Sequence, residues 1–215
     1  MLRAVASAAI LILALTAQAS TTPRPARLAA IEPAGPSTIT LRASSPSPQG
    51  DGLAAWQSIY SVLTHPRCLN CHTSTSYPQQ GDDRHRHLFN VVRGPHGMGV
   101  PGLVCATCHQ RANADSTGVP GGPGWHLAPL SMAWQDASDR AMSAGELCRA
   151  LTDRAKNGGM SGAALLSHHE KAALVLWAWQ AGLREDGTAR TPPPLTHDQF
   201  VDATRRWVAA GMPCP

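Results

Sequence analysis

Apolar residues recur at helical spacing in several stretches of the chain. Leu53, Trp56, Ile59, Tyr60 and Leu63 predict an amphipathic helix that ends just before Cys68. Ser143, with Glu146 three residues on, has the form of a capping box, and the helix it opens runs through Leu147, Leu151 and Ala155 to a stop at Gly158-Gly159. A further helix is expected from near Gly162 to Gly182, burying Leu165, Leu166, Leu176 and Trp179. Thr196 and Gln199 form a second capping box, followed by Phe200, Thr204, Trp207 and Val208 on one face and a stop at Gly211. Gly and Pro are dense at 94–102 and 118–124, a composition that resists regular structure. Helical signals outnumber strand signals, so the expectation is an all-α domain with long irregular Gly/Pro-rich loops.

The N-terminus has a different character. Met1-Leu2-Arg3 is a short positive stretch, Ala4 to Ala17 is almost wholly apolar, and Ala17-Gln18-Ala19 has the small-x-small form of a cleavage site. Residues 1–19 are therefore expected to be a cleaved signal peptide, an uncleaved anchor being the alternative. Residues 20–50, rich in Pro, Ser, Thr and Ala, are expected to form a flexible arm, and 51–215 the folded domain. No later stretch reaches the roughly 18 apolar residues of a membrane helix, so no integral membrane segment is expected after cleavage. The expected location is the periplasm, with the protein soluble or peripheral. Loss of Arg3 lowers the formal net charge of +4 by one, and nothing in that modest balance points to nucleic acid.

The chemistry is concentrated in two CxxCH pentapeptides, Cys68-Leu69-Asn70-Cys71-His72 and Cys105-Ala106-Thr107-Cys108-His109. Two thiols at this spacing can add across the vinyl groups of one porphyrin, and the adjoining imidazole can bind its iron. The pattern predicts two covalently attached haem c groups, on Cys68 with Cys71 and on Cys105 with Cys108, with His72 and His109 as proximal ligands. A four-thiolate zinc site is a competitor, but the separation of the two cysteine pairs is long for a zinc ribbon and the histidines would go unexplained. A CxxC redox pair accounts poorly for two motifs each trailed by His.

The sixth ligand at each iron governs function, because Met or His closes the iron for electron transfer while an open position admits peroxide or gas. Candidates are His87, His96, Met98, His126, Met132, Met160, His168 and His169. Met132 is favoured because its Pro-led loop, with Leu130 and Trp134, offers the apolar surroundings of a ligated sulfur; a core plug is the alternative. His87 has Leu88 and Phe89 to wall a pocket, although His85 and Arg86 also suit a solvated turn. His126 would ligate or bond a propionate. His168 and His169 point about 100° apart on a helix, so at most one is expected to face a haem, and His168 is preferred. His96 sits in a Gly-Pro-rich turn, and Met98 and Met160 in Gly-rich turns where a flexible Met is often surface. Arg93 is a candidate partner for a propionate, or a solvent-facing turn residue. Cys148 and Cys214 remain, and an oxidising compartment favours a disulfide between them over two buried free thiols.

Several stretches together resemble a family of small exported dihaem c-type cytochromes, often labelled as an isoquinoline 1-oxidoreductase subunit. They are His65-Pro66-Arg67-Cys68 to His72, Gln80-Gly81-Asp82 through His87 to Arg93-Gly94, Cys105 to His109, Trp125-His126-Leu127-Ala128-Pro129 to Met132, Glu146-Leu147-Cys148, Asn157-Gly158-Gly159 and Pro213-Cys214-Pro215. The resemblance implies a dihaem cytochrome c domain that relays electrons from a dehydrogenase, a molybdenum hydroxylase, to an acceptor of the respiratory chain. It implies no catalysis by this chain alone, since no cysteines are left for iron-sulfur clusters. The alternative function is a dihaem c-type peroxidase with one open-coordination haem.

Overall fold

The first helix, α1 (Pro48–Leu63), starts inside the stretch expected to be arm. Ser47 caps it by accepting from the Gly50 N–H at 3.1 Å, and Pro48 supplies a pre-set φ where no amide partner is needed. The folded part therefore begins ahead of residue 51. This computed structural model describes residues 47–215; the expected signal peptide, 1–19, and most of the expected arm lie outside the described residues.

Ala55, Trp56, Ile59, Val62 and Leu63 of α1 are buried against α6 (His197–Ala209), which contributes Phe200, Ala203 and Trp207. The rings of Trp56 and Trp207 lie 5.0 Å apart. Gly52 permits this approach, since a Cβ there would meet Ala210 Cβ and Pro213 Cγ at 2.6 Å. The capping box of Ser143 and Glu146 opens α3 (Ala144–Thr152), whose Leu147, Cys148 and Leu151 close the core from another side. A four-residue helix, α2 (Pro66–Leu69), carries Cys68, and the α1–α2 junction bends at Thr64-His65.

Two of the expected helices are shorter than the periodicity predicts. α3 stops at Thr152 rather than Gly158, because Asp153 turns extended and its Oδ1 accepts from the Ala155 N–H at 2.9 Å, a side-chain bond that competes with the helical ladder. The segment from Gly162 to Gly182 divides into α4 (Gly162–Lys171) and α5 (Ala173–Trp177) at Ala172, which has ψ 129°. No Gly or Pro marks that break, so nothing local in the sequence announces it.

The all-α expectation is overturned. The described residues are 41% helical, with six helices among them and several short strands in a mixed, irregular arrangement. β1 (Gln79–Gln80) pairs antiparallel with β2 (His85–Arg86), and β3 (Gly99–Val100) with β4 (Leu103–Val104). Gly81 (φ 77°) and Gly102 (φ 84°) adopt the left-handed backbone that these reversals require. Gly102 falls in a stretch expected to resist regular structure, yet it is what allows the chain to double back there. Two-residue strands are too short for alternation to register in the sequence. Among the described residues, no helix is long and apolar enough to cross a membrane.

Candidate functional site

Both pentapeptides fold as the same turn. The His72 N–H donates to the Cys68 carbonyl at 3.0 Å, and the His109 N–H to the Cys105 carbonyl at 2.9 Å. One helical turn thus sets each imidazole beside its two thiols. The first turn is continuous with α2; the second follows directly on β4, so the hairpin aims it.

The two imidazoles are also held alike. His72 Nδ1 donates to the Met132 carbonyl at 2.8 Å and the ring stacks on Trp134, centroids 3.4 Å apart and planes within 10°. His109 Nδ1 donates to the Pro120 carbonyl at 2.7 Å and the ring stacks on Trp125 at 4.6 Å and 7°. A carbonyl only accepts, so Nδ1 carries the proton in each ring and Nε2 is left as a bare lone pair. A backbone carbonyl on the far nitrogen is the usual device for orienting a metal-ligating histidine. Burial drives the His72 pKa down to about 4 and lowers that of His109, keeping both rings neutral as a metal requires.

Each pentapeptide opens onto a cavity. The first, of about 300 Å³, is lined by Cys68, Cys71 and His72 and by apolar side chains of the helical core, including Val62, Leu165 and Phe200. The second, of about 820 Å³, is lined by Cys105, Cys108 and His109, with walls drawn from the two hairpins and the loops. These volumes fall in the range of roughly 300–1,000 Å³ typical of sites for small organic ligands and cofactors. Arg67, Cys71, Trp125, His126 and Trp177 line both, so the cavities share a wall. Apolar space beside two thiols and an oriented Nε2 fits a covalently held haem at each position. The four thiols do not make a zinc tetrahedron: among the described residues no three His, Cys, Asp or Glu side chains come together so as to hold an ion. Burial raises the Cys68 and Cys71 pKa values to about 12 and about 11.

The distal candidates separate clearly. Met132, the favoured one, lines the first cavity and also offers its carbonyl to Nδ1 of His72, so its backbone is part of the support of that ring. His168 and His169 both line the first cavity, against the expectation that only one would. His169, ranked below His168 on sequence, is fully buried, and its Nδ1 is 3.0 Å from Thr204 Oγ1. Thr204 donates its own proton to the Phe200 carbonyl, so the His169 Nδ1–H is the donor and its Nε2 is the free nitrogen. Met160 also lines this cavity. His87 lines the second cavity with His109, their ring centroids 5.8 Å apart. His126 is exposed beside both cavities, its Nδ1 donating to the Gly124 carbonyl. Met98 and His96 are exposed and line neither.

Arg93 is not a solvent-facing turn residue. It is buried, and its fork donates to three carbonyls: Nε to Thr75 at 3.1 Å, and the terminal nitrogens to Ala128 and Thr73, both at 2.6 Å. It ties the loop after the first pentapeptide to the segment leading to Met132. Arg93→Met is expected to cost about 3 kcal/mol, because charged hydrogen bonds are lost and buried carbonyls are left unpaired. Arg93→Lys should recover little, one ammonium being unable to reproduce the planar fork. Denaturant unfolding of the two variants would measure both.

Sequence reasoning did not find Trp134 and Trp125 as the stacking platforms, nor Thr204 as the support of His169. Each is distant in sequence from the histidine it serves, and nothing local marks the pairing. No family model, no curated protein and no solved structure matches the chain.

Proposed function

We propose that the protein is an exported, periplasmic electron carrier with two covalently attached haem c groups, one at each pentapeptide. The observation that carries this reading is the duplication of the site: two identical turns, two Nδ1–H bonds to backbone carbonyls, two indole stacks and a cavity at each. A single such motif arises by chance more readily than the same long-range surroundings built twice.

In this reading Cys68, Cys71, Cys105 and Cys108 hold the groups by thioethers, and His72 and His109 are the proximal ligands. Haem supplies one-electron cycling of its iron, and the chain sets the potential through ligand identity and burial. The Met132 and Pro120 carbonyls fix which imidazole nitrogen is free and strengthen it as a donor. The first cavity is walled mainly by apolar side chains, and Trp125 and Trp177, edge to face at 4.8 Å, stand in the wall it shares with the second. The partners are those the resemblance implies, a dehydrogenase of the molybdenum hydroxylase class and a respiratory-chain acceptor.

The test is intact-mass analysis of the protein recovered from the periplasm, with a pyridine haemochrome assay and a spectroelectrochemical titration. Two covalent tetrapyrroles per chain and two one-electron steps are expected. A chain without covalently added haem would overturn the proposal.

A further inference from the structure

The second cavity contains an arrangement that the pentapeptide itself does not require. His87 follows β2 directly, its N–H donating to the Pro78 carbonyl at 3.0 Å, and this extension of the hairpin carries its ring to within 5.8 Å of that of His109, planes at 71°. An imidazole nitrogen binds a first-row metal at about 2 Å, so two imidazoles on opposite sides of one ion hold their ring centres about 6 Å apart. His87 Nδ1 donates to the Leu88 carbonyl at 2.7 Å, so its proton sits on Nδ1 and Nε2 is bare, as in His109.

The backbone beyond His87 is strained. Phe89 (φ 62°) and Asn90 (φ 51°) are successive non-glycine residues in the left-handed region, at about 1–2 kcal/mol each. Phe89 gains no burial from this, being 81% exposed, and Leu88 is 55% exposed. Both nevertheless line the second cavity. Strain of this kind persists where surrounding structure holds a functional side chain in place. The other histidine of the hairpin, His85, also lines this cavity, with its Nδ1 2.6 Å from Asp83 Oδ1, but the ring that lies edge-on to His109 is that of His87.

Resting on the carrier reading, we propose that His87 is the sixth ligand to the iron held at Cys105, Cys108 and His109, so that this centre is closed by an imidazole on each face. A closed bis-histidine iron is low-spin in both oxidation states, holds a lower potential than a His/Met centre and leaves no position for peroxide. The proposal therefore also removes the second pentapeptide from any peroxidase chemistry.

The experiment uses the full-length, haem-loaded protein, with absorption and EPR spectra read after haem per chain has been counted. The wild type is expected to show two haems with the second centre low-spin. His87→Ala should keep two covalent haems but turn one, half of the iron, high-spin and able to bind cyanide, and added imidazole should return it to low-spin. His87→Met should instead add a far-red sulfur-to-iron band. His85→Ala, the neighbouring control, should leave the spectrum unchanged. Two unaltered low-spin haems in His87→Ala would overturn the assignment. If His87→Ala does not accumulate, a His87→Met protein with two low-spin haems and no sulfur band would do the same. Fewer than two haems in the wild type would strike at the carrier reading itself, and the haem count made first distinguishes that failure from a wrong ligand.

Discussion

Cys105→Ala combined with Cys108→Ala is expected to halve the haem content of the exported protein while leaving it folded. Cys68→Ala with Cys71→Ala is expected to abolish its accumulation. The asymmetry follows from what walls each cavity. Val62, Leu63, Leu165 and Phe200 around the first belong to the helical core itself, so the space beside Cys68 and Cys71 is bounded by side chains that cannot close over it without moving whole helices. An unfilled core cavity costs about 24 cal/mol per Å³ where the walls stay put. For about 300 Å³, partly open to solvent, that sets a ceiling on the order of 7 kcal/mol, comparable to the whole stability of an ordinary domain. The second cavity is larger, but Leu88, Phe89, Leu103 and Val104 around it stand on hairpin and loop segments that can fold inward when nothing occupies it. Haem per chain and far-UV circular dichroism on periplasmic extracts would check the pair of variants. Two haems surviving in the Cys105/Cys108 double variant, or ample apo-protein from the Cys68/Cys71 one, would contradict it.

The same contrast between core and loop explains what could be read from the chain. The pentapeptides are local and self-contained: thiols, imidazole and the turn joining them fall within five residues. The capping boxes at Ser143 and Thr196 are equally local, and both form as the sequence implies, each with its reciprocal pair of bonds. Long-range partners were not legible. The Met132 carbonyl holds His72 Nδ1, and since every residue offers a backbone carbonyl whatever its side chain, nothing in the sequence marks that role. His168 and His169 differ in burial through the packing of α4 on α6, where Thr204 meets His169. The break at Ala172 and the two hairpins escaped for a related reason: short strands and a helix interrupted by tertiary packing carry no periodicity of their own.

Removing the bridge between Cys148 and Cys214 is expected to lower stability by about 4 kcal/mol without loss of haem. The two residues are joined in the structure, with Cα atoms 5.6 Å apart, and close a loop of sequence separation 66. In the chain-entropy account, a loop of that length restrained in the unfolded state is worth about 4 kcal/mol, which for a domain of this size is a fall in Tm of about 10 °C. The loop holds α4, α5 and α6, the helices that bring His168, His169 and Phe200 to the first cavity. Its C-terminal end is pinned independently, since Trp207 Nε1 donates to the Pro213 carbonyl at 3.0 Å, so the native tail should keep its place when the sulfurs are parted. Neither cysteine lines either cavity, which is why haem attachment should survive. Alanine is the replacement of choice at Cys148, because that side chain is fully buried and serine would add the separate cost of an unpaired hydroxyl. Cys148→Ala with Cys214→Ala should therefore retain two haems per chain and unfold about 10 °C earlier, while reductant should shift the wild type to the same temperature and leave the variant unmoved. Two free thiols found by intact-mass analysis of the native protein, or an equal response of both proteins to reductant, would show that the bridge contributes nothing.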